Sequence, residues 1–320
     1  MAIVTKEERE KRKIIERKFG GSTELAAVLA SVYPQSAERE MKRYLKRYTR
    51  ELKKIVKEAD DKIASGKPKK AVLRHAKKEI EQLSLKYNPS REIGKISQQV
   101  TNIEEAQFRK SLKKTVGVDM PQFDKDTFKD EQDDWTIGTL GLIGLFLLGV
   151  NQKLDKAAGE DVEKKKDTPK ITVGGVEAER REKKVEKPVE MTRDQIRKEL
   201  RKISAEADDI GEIARNRVGD LMAGVNTKIY GMFGIKRNVW RTRRDAKVRD
   251  CHKSFDGHIF RVDQPPEIWY GTKHGRVYTG RHCHPGEDYN CRCRAIPLFT
   301  REAVYTILTR EKWKKELEAK

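Results

Sequence analysis

The residues that could bind a metal are concentrated in one stretch of the chain, between Trp240 and Pro297. This stretch holds all four cysteines and five of the six histidines. Thiolates and imidazoles are ligands that a tetrahedral Zn²⁺ prefers. The surrounding sequence is poor in large apolar residues, so a bound metal would supply a cross-link that apolar burial cannot. The stretch is therefore predicted to fold as a small α+β unit held together by a structural zinc ion.

The preferred ligands of this zinc are His252, Cys283, Cys291 and Cys293, with Cys251 and His284 as alternates. Six donors compete for four positions, and Cys-x-Cys is a less common zinc spacing than Cys-x-x-Cys. A second interpretation is that the cysteines are buried small hydrophobic residues and the histidines are ordinary loop residues. Disulfides are a third interpretation, which we do not favour because the sequence opens without a secretory signal segment.

A catalytic zinc is the minority interpretation of the same stretch. Asp245, His252 and Asp256 could be recast as a hydrolase site, a nuclease or a peptidase, in which a side chain activates metal-bound water. Such a site needs an open coordination position and a placed base. The sequence contains no His-Glu-x-x-His, no Gly-x-Ser-x-Gly and no phosphate-binding glycine loop. We therefore expect a protein that is not an enzyme.

A group of basic residues lies at the start of this stretch. It consists of Arg241, Arg243, Arg244, Lys247 and Arg249. No aromatic ladder or base-reading helix accompanies them, so they would contact the phosphates of double-stranded DNA without regard to sequence. The alternative is that these side chains pair with acidic residues such as Asp245 and Asp250.

Several short motifs follow one another in this region. They are Trp240-Arg-Thr242-Arg-Arg-Asp245, Val248-Arg249-Asp-Cys-His252, Phe255-Asp256-Gly257, Pro285-Gly286-Glu287 and Asn290-Cys291-Arg292-Cys293, preceded by Ile213-Ala-Arg215, Arg217 and Asn226. Their order resembles the C-terminal signature of phage head-morphogenesis proteins, the minor head proteins similar to protein F of phage Mu. The resemblance covers about residues 192 to 297. Cys251, Cys283 and His284 are not positions of the family pattern, so a metal site that used them would be a feature of this branch.

The resemblance implies a low-copy virion component that lies inside the capsid and is assembled in the host cytoplasm. Its implied partners are the portal protein, other capsid or scaffold proteins, and the DNA that is packaged or ejected.

Charge divides the chain into segments. Residues 1 to 116 hold 30 basic and 16 acidic side chains, and residues 191 to 320 hold 28 and 18. Two basic modules favour a polyanionic partner. We predict a basic helical domain at 1–116, an acidic linker at 117–134, a hydrophobic glycine-rich helix at 135–152, a charged flexible linker at 153–190 and a C-terminal domain at 191–320.

The predicted fold class is mostly α, because 38% of the residues are charged, only 36% are hydrophobic, and the apolar residues recur at helical spacing. Ser22 is predicted to cap a short helix through Val32. Longer helices are predicted from Met41 to Ile63, from Val72 to Tyr87 and from Ile93 to Leu112, and together they would form an N-terminal bundle. A capping box at Thr192 and Gln195 is predicted to start a long helix that leads into the C-terminal unit, and a last helix follows from Arg301.

The segment from Trp135 to Gln152 carries no charged residue. As a helix, it places Gly138, Gly141 and Gly144 on one stripe where a second backbone could approach closely. A buried or self-associating helix in an assembly is the preferred interpretation, and a constitutive membrane protein is not favoured because nothing else anchors the chain. The segment falls just short of a comfortable membrane span, so the alternative is a transient membrane contact when the protein leaves the capsid.

Overall fold

The computed structural model describes residues 6–27, 33–86, 89–117, 119–120, 122–159 and 191–307. Its helices are α1 (Lys6–Phe19), α2 (Gln35–Ala64), α3 (Lys69–Lys86), α4 (Pro89–Val116), α5 (Lys129–Ala158), α6 (Arg193–Met232) and α7 (Asp250–Phe255). Its strands are β1 (Glu24–Ala26), β2 (Arg237–Arg241), β3 (Ile259–Arg261), β4 (Glu267–Thr272), β5 (Gly275–His282) and β6 (Arg294–Thr300). The mostly α class, with a small α+β unit toward the C-terminus, is therefore confirmed.

Two compact units are built from interleaved stretches of the chain. The first unit comprises Met1–Tyr44, Ser90–Thr139 and Gly211–Lys320, and the second comprises Leu45–Pro89 and Leu140–Ile210. Three helices of 30, 30 and 40 residues, α2, α5 and α6, contribute residues to both units. The five predicted segments along the chain stay predictions. Their bounds were drawn at changes in charge, whereas the boundaries of the compact units fall within these long helices.

The second unit is a bundle in which four helices share one apolar core. Its buried residues recur every three or four positions, so each helix presents one stripe to the centre. They include Leu52, Val56 and Ile63 of α2, Leu73 and Ile80 of α3, Val150 and Leu154 of α5, and Ile196, Leu200 and Ile203 of α6. The predicted capping box of α6 is present, because the Gln195 amide donates to Thr192 Oγ1 at 3.3 Å and the Thr192 amide donates to Gln195 Oε1 at 2.8 Å.

The first unit packs helices against a four-stranded sheet of order β1-β6-β2-β3, in which all neighbours are antiparallel. The central strand β6 is largely buried. Phe108 of α4 lies 5.7 Å from Phe233 and 5.9 Å from Phe299 of β6, measured between ring centroids. A separate two-stranded sheet, β4-β5, follows α7 and β3 and leads into the loop that carries three of the four cysteines.

The prediction of a helix after Ser22 was wrong at its start. Leu25 lies in β1 opposite Phe299, because this stretch completes the edge of the sheet rather than a helical turn. The predicted helix positions Val28, Leu29 and Val32 lie outside the described residues.

The helix at the hydrophobic segment is longer than predicted. It begins at Lys129 inside the predicted acidic linker and reaches Ala158 inside the predicted flexible linker. Acidic residues stabilise the first turn of a helix, and Asp130 and Glu131 stand there. The rest of the flexible linker, residues 160–190, lies outside the described part. The last predicted helix is observed over residues 301–307, and its positions 308–320 also lie outside.

Among the described helices, α5 is long and apolar enough to cross a membrane by length and composition. An 18-residue window of it has a mean hydropathy of 1.4, and 22% of that window is buried. Core helices of soluble proteins pass the same test, but they are mostly buried. Ile137, Leu145 and Leu148 instead project from α5 into solvent.

Candidate metal centre

The candidate metal centre lies in the first unit, between α7 and the start of β6. The one and a half turns of α7 carry Cys251 and His252 inward, and both residues are buried. Cys291 and Cys293 stand in the turn that precedes β6. Asn290, with a φ of 52°, takes the left-handed conformation that lets the chain turn before Cys291.

Three of the predicted ligands meet there. His252 Nδ1 lies 3.5 Å from Cys291 Sγ and 3.6 Å from Cys293 Sγ. The donor atoms of His252, Cys291 and Cys293 all lie within 4.8 Å of one another, and all three residues are buried. The Cys293 amide also donates to Cys291 Sγ at 3.3 Å, a contact that favours a thiolate. One imidazole and two thiols thus face a common point and could hold a metal ion.

The second nitrogen of His252 is held by a buried carboxylate. His252 Nε2 lies 3.1 Å from Asp288 Oδ2, and Asp288 is 1% exposed. Asp288 in turn accepts hydrogen bonds from the Tyr289 amide at 2.8 Å and from Arg281, and Arg249 pairs with it at 2.9 Å. A carboxylate behind a histidine fixes the ring orientation and leaves the other nitrogen free for a metal.

These contacts shift the pKa values of His252 and Asp288. Burial alone would lower the pKa of His252, but its hydrogen bonds to Asp288 and Cys291 outweigh burial and raise the pKa to about 9. Burial would likewise raise the pKa of Asp288, yet His252 and Arg249 hold it at about 2.

The contacts of the two thiols shift their pKa values in opposite directions. Burial would raise the pKa of Cys291, but its hydrogen bonds with Cys293 and His252 hold that pKa well below its usual range. The hydrogen bond to Cys291, together with burial, raises the pKa of Cys293. These contacts therefore favour the thiolate at Cys291 and the thiol at Cys293.

An Asp288–His252–Cys291 line of this kind has two chemical uses. A carboxylate, an imidazole and a thiolate in contact could activate a nucleophile, or the imidazole and the thiolates could bind a soft metal. A nucleophile must reach its substrate, whereas Cys291 is 3% exposed and packs in the apolar cluster of Trp240, Ile268 and Trp269. Closed burial of this sort favours metal binding.

Cys283 is not part of the three-residue group, although we predicted it as the fourth ligand. It is buried in the same apolar cluster, but its Sγ accepts a hydrogen bond from Arg281 at 3.7 Å. Its amide is bonded to Pro266 O at 3.3 Å, which fixes it beside the start of β4. Of the alternates, Cys251 accepts the Trp269 amide through Sγ at 3.4 Å, and the His284 amide is bonded to Glu287.

The predicted DNA-contact residues are mostly engaged with carboxylates. Arg241 and Arg244 approach Asp256 Oδ2 at 3.6 and 2.9 Å. Arg243 lies 3.5 Å from Asp245, and Arg249 pairs with Asp288 as described above. Asp250, which we named as an alternative partner, pairs with Lys253 at 3.0 Å. The contact of this group with DNA stays a prediction.

Asp245 and Asp256, the acids of the hydrolase alternative, hold the loop together. The Thr242 amide donates to Asp256 Oδ1 at 2.8 Å, and Arg292 donates to Asp245 Oδ2 at 2.9 Å. Both carboxylates therefore connect the turn after β2 to neighbouring segments.

The loop between β5 and β6, which carries Cys283, Cys291 and Cys293, is called the cysteine loop below. Its backbone approaches the backbone of α6 closely. A Cβ added to Gly219 would lie 2.3 Å from the Gly286 carbonyl oxygen. Gly286 has a φ of +107°, and its own Cβ would lie 2.4 Å from Met222 Cε. The loop that ends at Cys291 can therefore rest on α6 only because both positions are glycine.

Sequence reasoning missed Asp288 and Arg281. Asp288 is the residue that orients His252, and the only sequence signal for it is an acidic residue three positions before Cys291. That signal is weak, because acidic residues are common in loops.

Comparisons with known proteins match part of the chain. Residues 183–296 match the family model of the phage Mu protein F like proteins. Over 116 residues, the chain is 31% identical to an uncharacterized protein of Haemophilus influenzae, and the alignment covers 34% of this chain and 22% of that protein. The chain thus spans about a fifth of that relative's length. No solved structure matches the chain. The region built around His252, Cys291 and Cys293 therefore lies in the part of the chain that is similar to the phage Mu protein F like proteins, as the resemblance predicted.

Proposed function

We propose that this protein acts in phage head morphogenesis as a minor head protein. The observation that carries the proposal is the family match over residues 183–296, which includes α6 and the strands around the candidate metal centre. More specifically, a few copies would enter the procapsid beside the portal, contact other capsid or scaffold proteins, and remain inside the virion. Contact with double-stranded DNA during packaging or ejection is supported by the net charge of +20.

Purified particles of the phage or prophage that encodes the chain test this proposal. Quantitative mass spectrometry should find the protein at a few copies per particle, and deletion of its gene should leave heads that are aberrant or lack DNA. Normal, infectious particles without the protein would contradict the proposal.

The role is proposed to be structural rather than catalytic. The candidate ligands are buried, and Asp245 and Asp256 are engaged in contacts within the fold. A hydrolase would instead need a base that faces a substrate. Turnover of a DNA or peptide substrate that is lost in Asp256→Asn would support the zinc hydrolase alternative.

The metal of this unit is proposed to be a structural zinc. His252, Cys291 and Cys293 would hold it with one nitrogen and two sulfurs, a donor set that suits Zn²⁺. Bound zinc would cross-link α7 to the turn before β6, across about forty residues of chain whose strands β4 and β5 bury few side chains.

Elemental analysis of the purified protein should give about one zinc per chain. Cys291→Ser and Cys293→Ser should both lose the zinc and lower the melting temperature of the C-terminal unit. Cys251→Ser is the matched control, because Cys251 is equally buried but lies outside the three-residue group. Cys283→Ser tests the four-ligand set that the sequence predicted, and loss of zinc in that variant would restore Cys283 to it. Metal-free protein with normal stability would contradict a structural zinc.

A further inference from the structure

The outward face of α2 in the second unit forms a basic groove. It is lined by Lys46, Thr49, Arg50, Lys53, Lys54 and Lys57. Residues 46 to 57 contain six lysines and arginines and a single acidic residue, Glu51. The groove lies outside the segment that matches the phage Mu protein F like family.

The core of the bundle determines which way this face points. Tyr48, Leu52, Val56 and Ala59 are buried against the other helices of the second unit. Because they recur every three or four residues, the side chains between them project on the opposite side of α2. The direction of the basic row is therefore set by apolar burial on the other side of α2.

Several of these charges are available to a partner. Lys54 pairs with Glu51 at 3.0 Å, one turn away on the same helix. Within the described residues, Lys46, Arg50 and Lys57 form no ion pair with an acidic side chain. In the first unit, by contrast, Arg241, Arg243, Arg244 and Arg249 each face a carboxylate.

We propose that the basic groove binds the phosphates of double-stranded DNA without regard to sequence. From Lys46 to Lys57 the row is about 16 Å long, since a helix rises about 1.5 Å per residue. A duplex presents one phosphate about every 1.7 Å along its axis, both strands counted, so a row of cations of this length along one helix face meets several of them.

The chemistry of the face favours a duplex over a membrane surface. Helices that bind in a lipid interface place apolar side chains among the acyl chains. Here the apolar side of α2 is buried in its own bundle, and the groove offers cationic side chains and one threonine. This inference deepens the proposed DNA contact and places it on α2, but it does not rest on assembly into heads.

The test compares two triple variants of the full chain on a random-sequence duplex of about 30 base pairs. Lys46→Ala, Arg50→Ala and Lys57→Ala remove three charges from the groove. Lys67→Ala, Lys70→Ala and Lys78→Ala remove three exposed charges elsewhere in the same unit and serve as the matched control. Alanine is the best helix former, so both variants should keep the bundle folded, which circular dichroism and melting verify.

Binding is measured by fluorescence anisotropy over a salt series. Each phosphate contact contributes about 0.9 to the slope of log K against log salt, so the groove variant should lose about 2 to 3 of that slope. The control variant should keep nearly the whole slope. Equal losses in both variants, or no loss in the groove variant, would overturn the assignment.

Two further measurements distinguish DNA binding by the basic groove from membrane binding and from the proposed role in head assembly. Vesicles of phosphatidylcholine with phosphatidylserine test the membrane alternative, and a groove variant that loses vesicle binding but keeps duplex binding would overturn DNA as the partner. Particle incorporation of the same variant reports on head assembly. Because these readouts are separate, failure of the groove assignment is distinguishable from failure of the proposed function.

Discussion

Glu104 is a carboxyl group that the fold buries almost completely. It lies on α4 in the first unit and is 1% exposed. Its Oε2 accepts a hydrogen bond from Asn226 Nδ2 at 2.9 Å, while its Oε1 has no partner among the described residues. Burial raises the pKa of Glu104 to about 8, although Asn226 and the charge of Arg294 act in the other direction. The folded protein therefore prefers this group protonated.

Glu104→Gln should flatten the dependence of stability on pH. A folded pKa above the unfolded one means that the free energy of unfolding falls as pH rises from about 4.5 to about 8, by on the order of 5 kcal/mol. The amide is neutral at every pH and keeps the contact with Asn226. Urea unfolding at pH 5 and pH 9 should show that the free energy of unfolding of the variant, relative to that of the parent, increases as pH rises. Parallel curves for the two proteins would mean that Glu104 is ionised in the folded state.

Among the elements, α6 has glycines of two different kinds. Gly219 touches the backbone of Gly286, whereas a Cβ at Gly224 would meet nothing within 4 Å. Helix propensity alone would make Gly219 a weak point of α6, because glycine lowers helix stability by roughly 0.5–1 kcal/mol relative to alanine. Contact with the cysteine loop reverses that expectation at Gly219.

Gly219→Ala should destabilise the first unit by about 1 to 3 kcal/mol, since a methyl group would push the Gly286 carbonyl away. Gly224→Ala in the same helix should raise stability by about 0.5–1 kcal/mol. Chemical unfolding of both variants measures the difference. If zinc is bound, Gly219→Ala should also weaken its retention against a chelator. Equal effects of the two substitutions would argue against the close approach.

At the scale of the whole molecule, α5 presents an apolar stripe to solvent. Ile137, Leu145 and Leu148 are 67%, 48% and 42% exposed, and no charged residue interrupts the segment. A Cβ at Gly144 would meet nothing within 4 Å, whereas one at Gly138 would lie 2.9 Å from Arg217 Nη2. Gly138 therefore serves packing inside the first unit, where Arg217 also donates to Trp135 O and Thr139 Oγ1 at 2.9 Å. Gly144 remains available for an approach by a second copy.

Gly144→Leu should weaken self-association by about tenfold, because it blocks a close helix contact at a position where an added Cβ meets nothing within 4 Å among the described residues. Gly149→Leu is the control, since its position is also open but points about 140° away from Gly144 around the helix. Sedimentation over a range of protein concentrations measures both. Unchanged association in Gly144→Leu would leave transient membrane contact as the interpretation of the stripe.

The periodicity of apolar residues was sufficient to predict most helices. Met41 to Ile63, Val72 to Tyr87 and Ile93 to Leu112 each form one uninterrupted stripe, and the structure has α2, α3 and α4 there. Leu25 misled the same reasoning, because four apolar positions after a capping serine carry too little pattern to separate a helix from an edge strand. The strand exists only because β6, more than 270 residues later, pairs with it.

The candidate metal centre could likewise be predicted only in part from the sequence. Sequence alone identified His252, Cys291 and Cys293, since the rarity of cysteine and histidine makes their clustering informative, and the order of the surrounding motifs pointed to the family. It could not place Cys283, or find Asp288, because which donors converge depends on how α7, the β4-β5 sheet and the turn before β6 pack around Trp240. The residue types along the chain were therefore sufficient to predict which segment resembles the family and which three residues form the candidate metal site. Only tertiary structure decided which charges are neutralised in the fold and which, like those of the basic groove, remain exposed to a partner, because ion pairing depends on distances between segments far apart in sequence.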